Sequence, residues 1–125
     1  MCKTLIIEDN TAFRKSLREI LLNAFPSMII EEADRGKEVL KKIQDLSPDL
    51  IFMDIKLPGA SGLELTKKIK NTHPGIAIII LTGCDVQEYR NAAYALGADG
   101  FLVKNLTSIK EIAATVTSVL PDLNQ

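Results

Sequence analysis

The chain has 125 residues, 46% of them hydrophobic and 25% charged, with a formal net charge of -1. That is one domain's worth of chain, long enough to bury a core without metal or disulfide staples, and its charge gives no electrostatic argument for nucleic acid or a membrane surface. Two cysteines far apart, Cys2 and Cys84, and a start that runs straight into an apolar segment point to free thiols in a reducing compartment, the cytoplasm. The longest apolar run, residues 76–81, is far too short to cross a bilayer.

Short apolar runs alternate with helical patterns five times. Leu5-Ile6-Ile7 reads as a strand, and Phe13, Leu17, Ile20, Leu21 and Ala24 then fall on one helical face, with Asn10 or Thr11 as N-cap and Pro26 as the stop. Met28-Ile29-Ile30 reads as a second strand, followed by an amphipathic helix carrying Val39, Leu40, Ile43 and Leu46. Leu50-Ile51-Phe52-Met53 is a third strand and ends on Asp54. A turn-rich loop, Leu57 through Gly62, leads into a helix from about 63 to 72. Residues 77–81 form the fourth strand, and a helix near 86–96 ends at Gly97 in a left-handed cap. Phe101-Leu102-Val103 is the fifth strand. The last helix carries Ile109, Ile112, Ala113, Val116, Val119 and Leu120 on one face and stops at Pro121.

Five strand–helix repeats with continuous apolar strands predict an α/β fold with a parallel sheet covered on both faces. Five units are too few for an eight-stranded barrel, so an open doubly wound sheet is expected, as one domain over residues 1–125. In such sheets ligands bind beyond the carboxyl ends of the strands, where strand order reverses. There the chain places Glu8-Asp9 after strand one, Asp54 on strand three, Thr82-Gly83 after strand four and Lys104 after strand five. Three clustered acids repel one another and are costly to bury without compensation. A hard divalent cation answers this, and oxygen ligands suit magnesium. That ion would neutralise phosphoryl oxygens, with Lys104 and Thr82 cradling the rest. Singly, each residue reads as a cap, turn or surface group; their convergence on one sheet edge carries the argument.

With these residues in view, the chain resembles the receiver domains of bacterial two-component response regulators across nearly its whole length. The resemblance rests on Glu8-Asp9, the stretch Asp54-Ile55-Lys56-Leu57-Pro58-Gly59-Ala60-Ser61-Gly62, Leu81-Thr82-Gly83, and the stretch from Gly97 through Lys104. It implies a flavodoxin-like (βα)5 sheet of order 2-1-3-4-5. It also implies Asp54 as phospho-acceptor, Asp9 and Asp54 as direct magnesium ligands, Glu8 at a position that often acts through water, and the Lys56 backbone carbonyl as a third ligand. Thr82 and Lys104 match the residues that hold the phosphoryl group, and Phe101, with Thr82, the switch. The implied donor is a sensor histidine kinase or a histidine phosphotransfer protein. Homodimerisation on phosphorylation and control of transcription through a separate DNA-binding output domain are further expectations.

The chain departs from the family pattern in two places. Glu8 stands where an aspartate is common, which keeps the charge and shifts the oxygen. Lys104-Asn105 stands where Lys-Pro with a cis bond is common; before Asn a cis bond would cost roughly 3 kcal/mol, so a trans bond is expected. The stretch ending at Asn105 resembles NarL/FixJ-type receivers that precede helix-turn-helix domains, so the chain is expected to be a stand-alone regulator or a receiver from a longer protein. His73, the only histidine, reads as a surface residue near a helix end. Rival readings are a haloacid-dehalogenase-type phosphatase, which wants an acid where Lys56 stands, a flavodoxin-like electron carrier, which Glu8-Asp9 opposes, and a degenerate receiver that only binds partners.

Overall fold

The structure is a computed structural model, described here for residues 2–120. Its elements in chain order are β1 (Lys3–Ile7), α1 (Thr11–Ala24), β2 (Ile29–Ala33), a 3-10 turn (Gly36–Glu38) leading into α2 (Val39–Leu46), and β3 (Leu50–Asp54). A short hairpin of β4 (Lys56–Leu57) and β5 (Ala60–Ser61) precedes α3 (Gly62–Thr72). Then come β6 (Ala77–Thr82), α4 (Gln87–Ala95), β7 (Gly100–Val103) and α5 (Ile109–Val119).

The main sheet runs β2-β1-β3-β6-β7, all parallel. With the hairpin set aside, this is the expected order 2-1-3-4-5. Alternation along the strands divides the core in two. Leu5, Ile7, Ile51, Met53, Ile78, Ile80, Phe101 and Val103 face α2, α3 and α4. Ile6, Leu50, Phe52, Ile79, Leu81 and Leu102 face α1 and α5, where Leu17, Leu21, Ile112 and Val116 meet them. Every residue of β3 and β6 is buried, the mark of central strands covered on both faces. No helix among the described residues is long and apolar enough to cross a membrane.

Local chemistry sets the boundaries. Asn10 caps α1 by accepting from the Phe13 N–H at 3.0 Å, and Ser108 caps α5 by accepting from Glu111 N–H at 3.1 Å. Gly97 ends α4 at φ +105°, a conformation that a side chain would strain, as its cap role requires.

Several expectations are corrected. Leu40 is 49% exposed and Ile109 is 64% exposed, so neither joins the core. Helical period placed both on the apolar stripe, but α2 and α5 are short and touch the sheet over only two buried residues each. The second strand starts at Ile29 and runs on to Ala33, so Glu31 and Glu32 lie within it. The loop after β3 holds the hairpin that its turn residues concealed. The expected stop at Pro121 lies outside the described residues. The described backbone has no cis peptide bond, so Lys104-Asn105 is trans.

Candidate functional site

Strand register brings the site residues to one edge. Ile7 pairs with Met53, so Glu8 and Asp54 follow side by side. Asp54 pairs with Leu81 and Thr82 with Val103, which puts Thr82 and Lys104 one step further along the same edge. The main chain locks this arrangement: Glu8 N–H donates to Ala33 O at 3.0 Å, Ile55 N–H to Leu81 O at 3.1 Å, and Lys104 N–H to Thr82 O at 2.8 Å. Gly62 is required next to the end of β3. A Cβ there would lie 1.9 Å from the Asp54 carbonyl oxygen, and its N–H donates to Ile55 O at 2.7 Å.

Glu8, Asp9 and Asp54 each offer an oxygen within 4.8 Å of the others'. Glu8 is fully buried, Asp54 nearly so, and Asp9 exposed. The Lys104 ammonium forms an ion pair with Glu8 Oε1 and stands 3.3 Å from Asp54 Oδ2. It also lies 5.2 Å from the centre of the Phe13 ring. Glu8 Oε2 accepts from the Asn10 N–H at 3.1 Å, and Asp54 Oδ1 from the Lys56 N–H at 3.3 Å. Thr82 is buried, and its Oγ1 accepts from the Cys84 N–H at 3.1 Å.

The electrostatics follow from crowding. Burial and the neighbouring Glu8 carboxylate push Asp54 up to about 7, against the smaller pull of Lys104 and the Lys56 N–H. Burial also pushes Glu8 up, but Asp54, Lys104 and the Asn10 N–H outweigh it and hold Glu8 below the ordinary range. Burial lowers Lys104, and the two carboxylates more than reverse this, so its ammonium is held. The site without a cation therefore ionises Glu8 readily and Asp54 reluctantly. Glu8 Oε1, fully buried, has the Lys104 ammonium as its partner, while the second acid beside it, Asp54, still crowds the site with negative charge. An all-oxygen donor set of three carboxylates fits a hard divalent ion such as magnesium.

All of Glu8, Asp9, Asp54, Thr82 and Lys104 meet at this edge, and Lys56 borders it from the hairpin. Phe101 lies on the opposite face of the sheet from Leu102, as alternation requires. Its ring is already buried, at 7% exposure, with the Arg90 guanidinium 4.6 Å from its centre. Arg90 on α4 thus supplies a cation that covers the ring. Sequence reasoning missed Phe13 as a neighbour of Lys104 and Arg14 as a neighbour of Glu8. Arg14 and Arg18, four residues apart beside the apolar stripe of α1, were the available signal.

A doubly wound sheet with an acidic cluster, a hydroxyl and an ammonium at its switch point is the architecture of a receiver. The chain matches the response regulator receiver domain family over residues 4–117 and belongs to it, as a receiver domain of two-component response regulators. Response regulator GacA of Pseudomonas syringae pv. syringae (strain B728a) is 34% identical over 104 residues, covering 83% of this chain and 49% of that protein. Chemotaxis protein CheY of Halobacterium salinarum is 36% identical over 102 residues, covering 82% of this chain and 83% of that one. The crystal structure of a CheY-like receiver domain protein from Methanospirillum hungatei JF-1 superposes with a TM-score of 0.87 at 29% identity, covering 99% of this chain and 97% of that one. The signal receiver domain of a DNA binding response regulator from Colwellia psychrerythraea 34H gives 0.90 at 26%, covering 97% and 99%. The chain spans about half the length of the GacA protein it matches.

Proposed function

We propose that this domain is a phosphorylation switch that takes a phosphoryl group on Asp54. The observation that carries this is the buried Asp54 carboxylate at the end of the central strand, with Lys104 at 3.3 Å and two further acids converging on it. An oxygen of Asp54 forms the new O–P bond as the P–N bond of a phosphohistidine donor breaks, and the leaving imidazole takes up a proton. Asp9 and Asp54 would hold magnesium directly, with Glu8 through water and the Lys56 carbonyl as a further ligand. When bound, the ion neutralises phosphoryl oxygens and favours ionised Asp54. Lys104 pairs with one phosphoryl oxygen, and Thr82 turns its hydroxyl from the Cys84 N–H to another. Thr82 and Phe101 then report the change to the face made by α4, β7 and α5.

The same reading supplies the partners. A sensor histidine kinase or histidine phosphotransfer protein is the donor, the phosphorylated domain pairs with a second copy, and DNA is reached only through a separate output domain. The NarL/FixJ-type resemblance supports that output; relatives that are transcriptional regulators stand beside chemotaxis proteins among the matches. Two free cysteines agree with a cytoplasmic setting. A domain of this kind performs only its own phosphoryl transfer and loss, and is a switch rather than an enzyme with turnover.

The test is intact-mass measurement after incubation with acetyl phosphate and magnesium. One base-labile phosphoryl adduct that disappears in Asp54→Asn is expected. Multiple turnover of a phosphate ester would indicate a phosphatase, and an unmodified protein would leave a partner-binding module; either overturns the proposal.

A further inference from the structure

Arg14 stands outside the acidic cluster, yet it grips the chain that presents it. Its side chain is 16% exposed and makes two bonds of 2.6 Å. Nε donates to Glu32 Oε1 on β2, and Nη1 donates to the main-chain carbonyl of Glu8. Arg18, one turn further along α1, donates to Glu32 Oε2 at 2.8 Å and to the Ile30 carbonyl at 3.3 Å. Lys42 donates to the Glu32 carbonyl at 2.7 Å. Burial raises Glu32, but the two guanidiniums outweigh it and hold the carboxylate ionised. Glu32 is therefore an anchor fixed from several directions, and Arg14 is the strut between it and Glu8.

The carbonyl that Arg14 holds belongs to the peptide linking Glu8 to Asp9. Fixing that peptide plane fixes the direction in which the chain leaves for Asp9 and the turn that lets Asn10 N–H meet Glu8 Oε2. We infer that Arg14 is a positioning residue, which clamps the Glu8–Asp9 peptide against Glu32 so that both acids converge with Asp54 on one cation. This rests on the proposed reading of the acidic cluster as a magnesium site.

The sign of the effect separates positioning from simple charge. A guanidinium acting only through its charge repels a divalent cation, so its removal would tighten binding. A strut does the opposite. A planar fork also reaches two acceptors at once, which a lysine ammonium at the same place does not reproduce.

The experiment is calorimetric titration with magnesium alone of the wild type, Arg14→Gln, Arg14→Lys and Glu32→Gln, with thermal melts to confirm folding. Arg14→Gln is expected to weaken magnesium binding about tenfold, the low end for groups that orient metal ligands. Arg14→Lys is expected to be weakened similarly, and Glu32→Gln by less, since Arg14 remains but loses its anchor. Amide resonances of Asp9 and Asn10 are expected to shift in Arg14→Gln before metal is added. Unchanged or tighter binding in Arg14→Gln, or full recovery in Arg14→Lys, overturns this inference while leaving the magnesium site standing. A wild type that binds no magnesium overturns both. Should Arg14→Gln fail to fold, Arg14→Lys and Glu32→Gln decide.

Discussion

Lys104 and Glu8 form an ion pair across the ends of β7 and β1, strands that are not neighbours in the sheet. The ammonium thereby does part of the work of a cation at a site built from acids. Removing it leaves buried carboxylates without their partner, a change that typically costs about 3 kcal/mol. Lys104→Met is expected to lower the melting temperature strongly without metal, and added magnesium is expected to raise it more than in the wild type. Melts at matched magnesium concentrations check this; an equal metal-induced rise in both proteins contradicts it.

Asp54 gives the metal-free fold a pH dependence of definite sign. Its carboxyl binds a proton more tightly folded, at about 7, than at its ordinary 3.8. The stability it contributes is present below 3.8 and lost as pH rises to about 7. Glu8, shifted the other way, loses its contribution as pH falls below its ordinary 4.5, outside most of this window. Asp54→Asn is expected to flatten the decline and to be more stable than wild type at pH 8 by about 2 kcal/mol without metal. Denaturant melts from pH 4 to 8 measure it, and parallel curves for the two proteins would refute the assignment.

Gly62→Ala tests the packing behind the acceptor. The added methyl would overlap the Asp54 carbonyl oxygen, so strand end and loop must part. A loss of at least about 2 kcal/mol is expected, at the upper side of overpacking costs, together with slower phosphorylation by acetyl phosphate. A variant with wild-type stability and rate would show that the contact relaxes freely.

Thr82→Ala is expected to accept a phosphoryl group yet fail to pass the signal on. Thr82 and Phe101 share the face that α2, α3 and α4 cover, by the two-residue period of their strands. Beryllofluoride with magnesium is expected to shift amide resonances across residues 85–110 in the wild type, and to shift far fewer in Thr82→Ala. The full wild-type pattern in the variant would remove Thr82 from the route. Because Arg90 already covers Phe101, Arg90→Ala is expected to alter the resting resonances of the same segment, at a cost of about 1 kcal/mol.

The parts of this molecule that were legible in its sequence are those governed by local pattern. Continuous apolar runs such as 50–53 and 77–81 need burial on both faces, which dictates a parallel sheet, and acids at strand ends then fall together by topology. What stayed hidden depends on side chains meeting from distant segments. Nothing in the neighbourhood of Lys104 announces the Phe13 ring, and nothing around Phe101 announces Arg90. Leu40 and Ile109 were misplaced because period assigns a face to a helix without saying how much of that face the sheet covers.

Glu8, Asp54 and Lys104 lie by alternation on the α1 and α5 side of the sheet, with Ile6, Phe52 and Leu102, while Thr82 and Phe101 lie on the other. The acids and the Phe101 ring thus lie on opposite sides of one layer of backbone, and Thr82, whose hydroxyl is proposed to hold the phosphoryl group, stands between them. Substitutions on α4 can retune which surface is displayed without touching the acids, and substitutions on α1 can retune the acids without touching that surface. The two properties are free to diverge independently, and chimaeras that exchange α4 alone are expected to keep their phosphorylation rate while changing their listener.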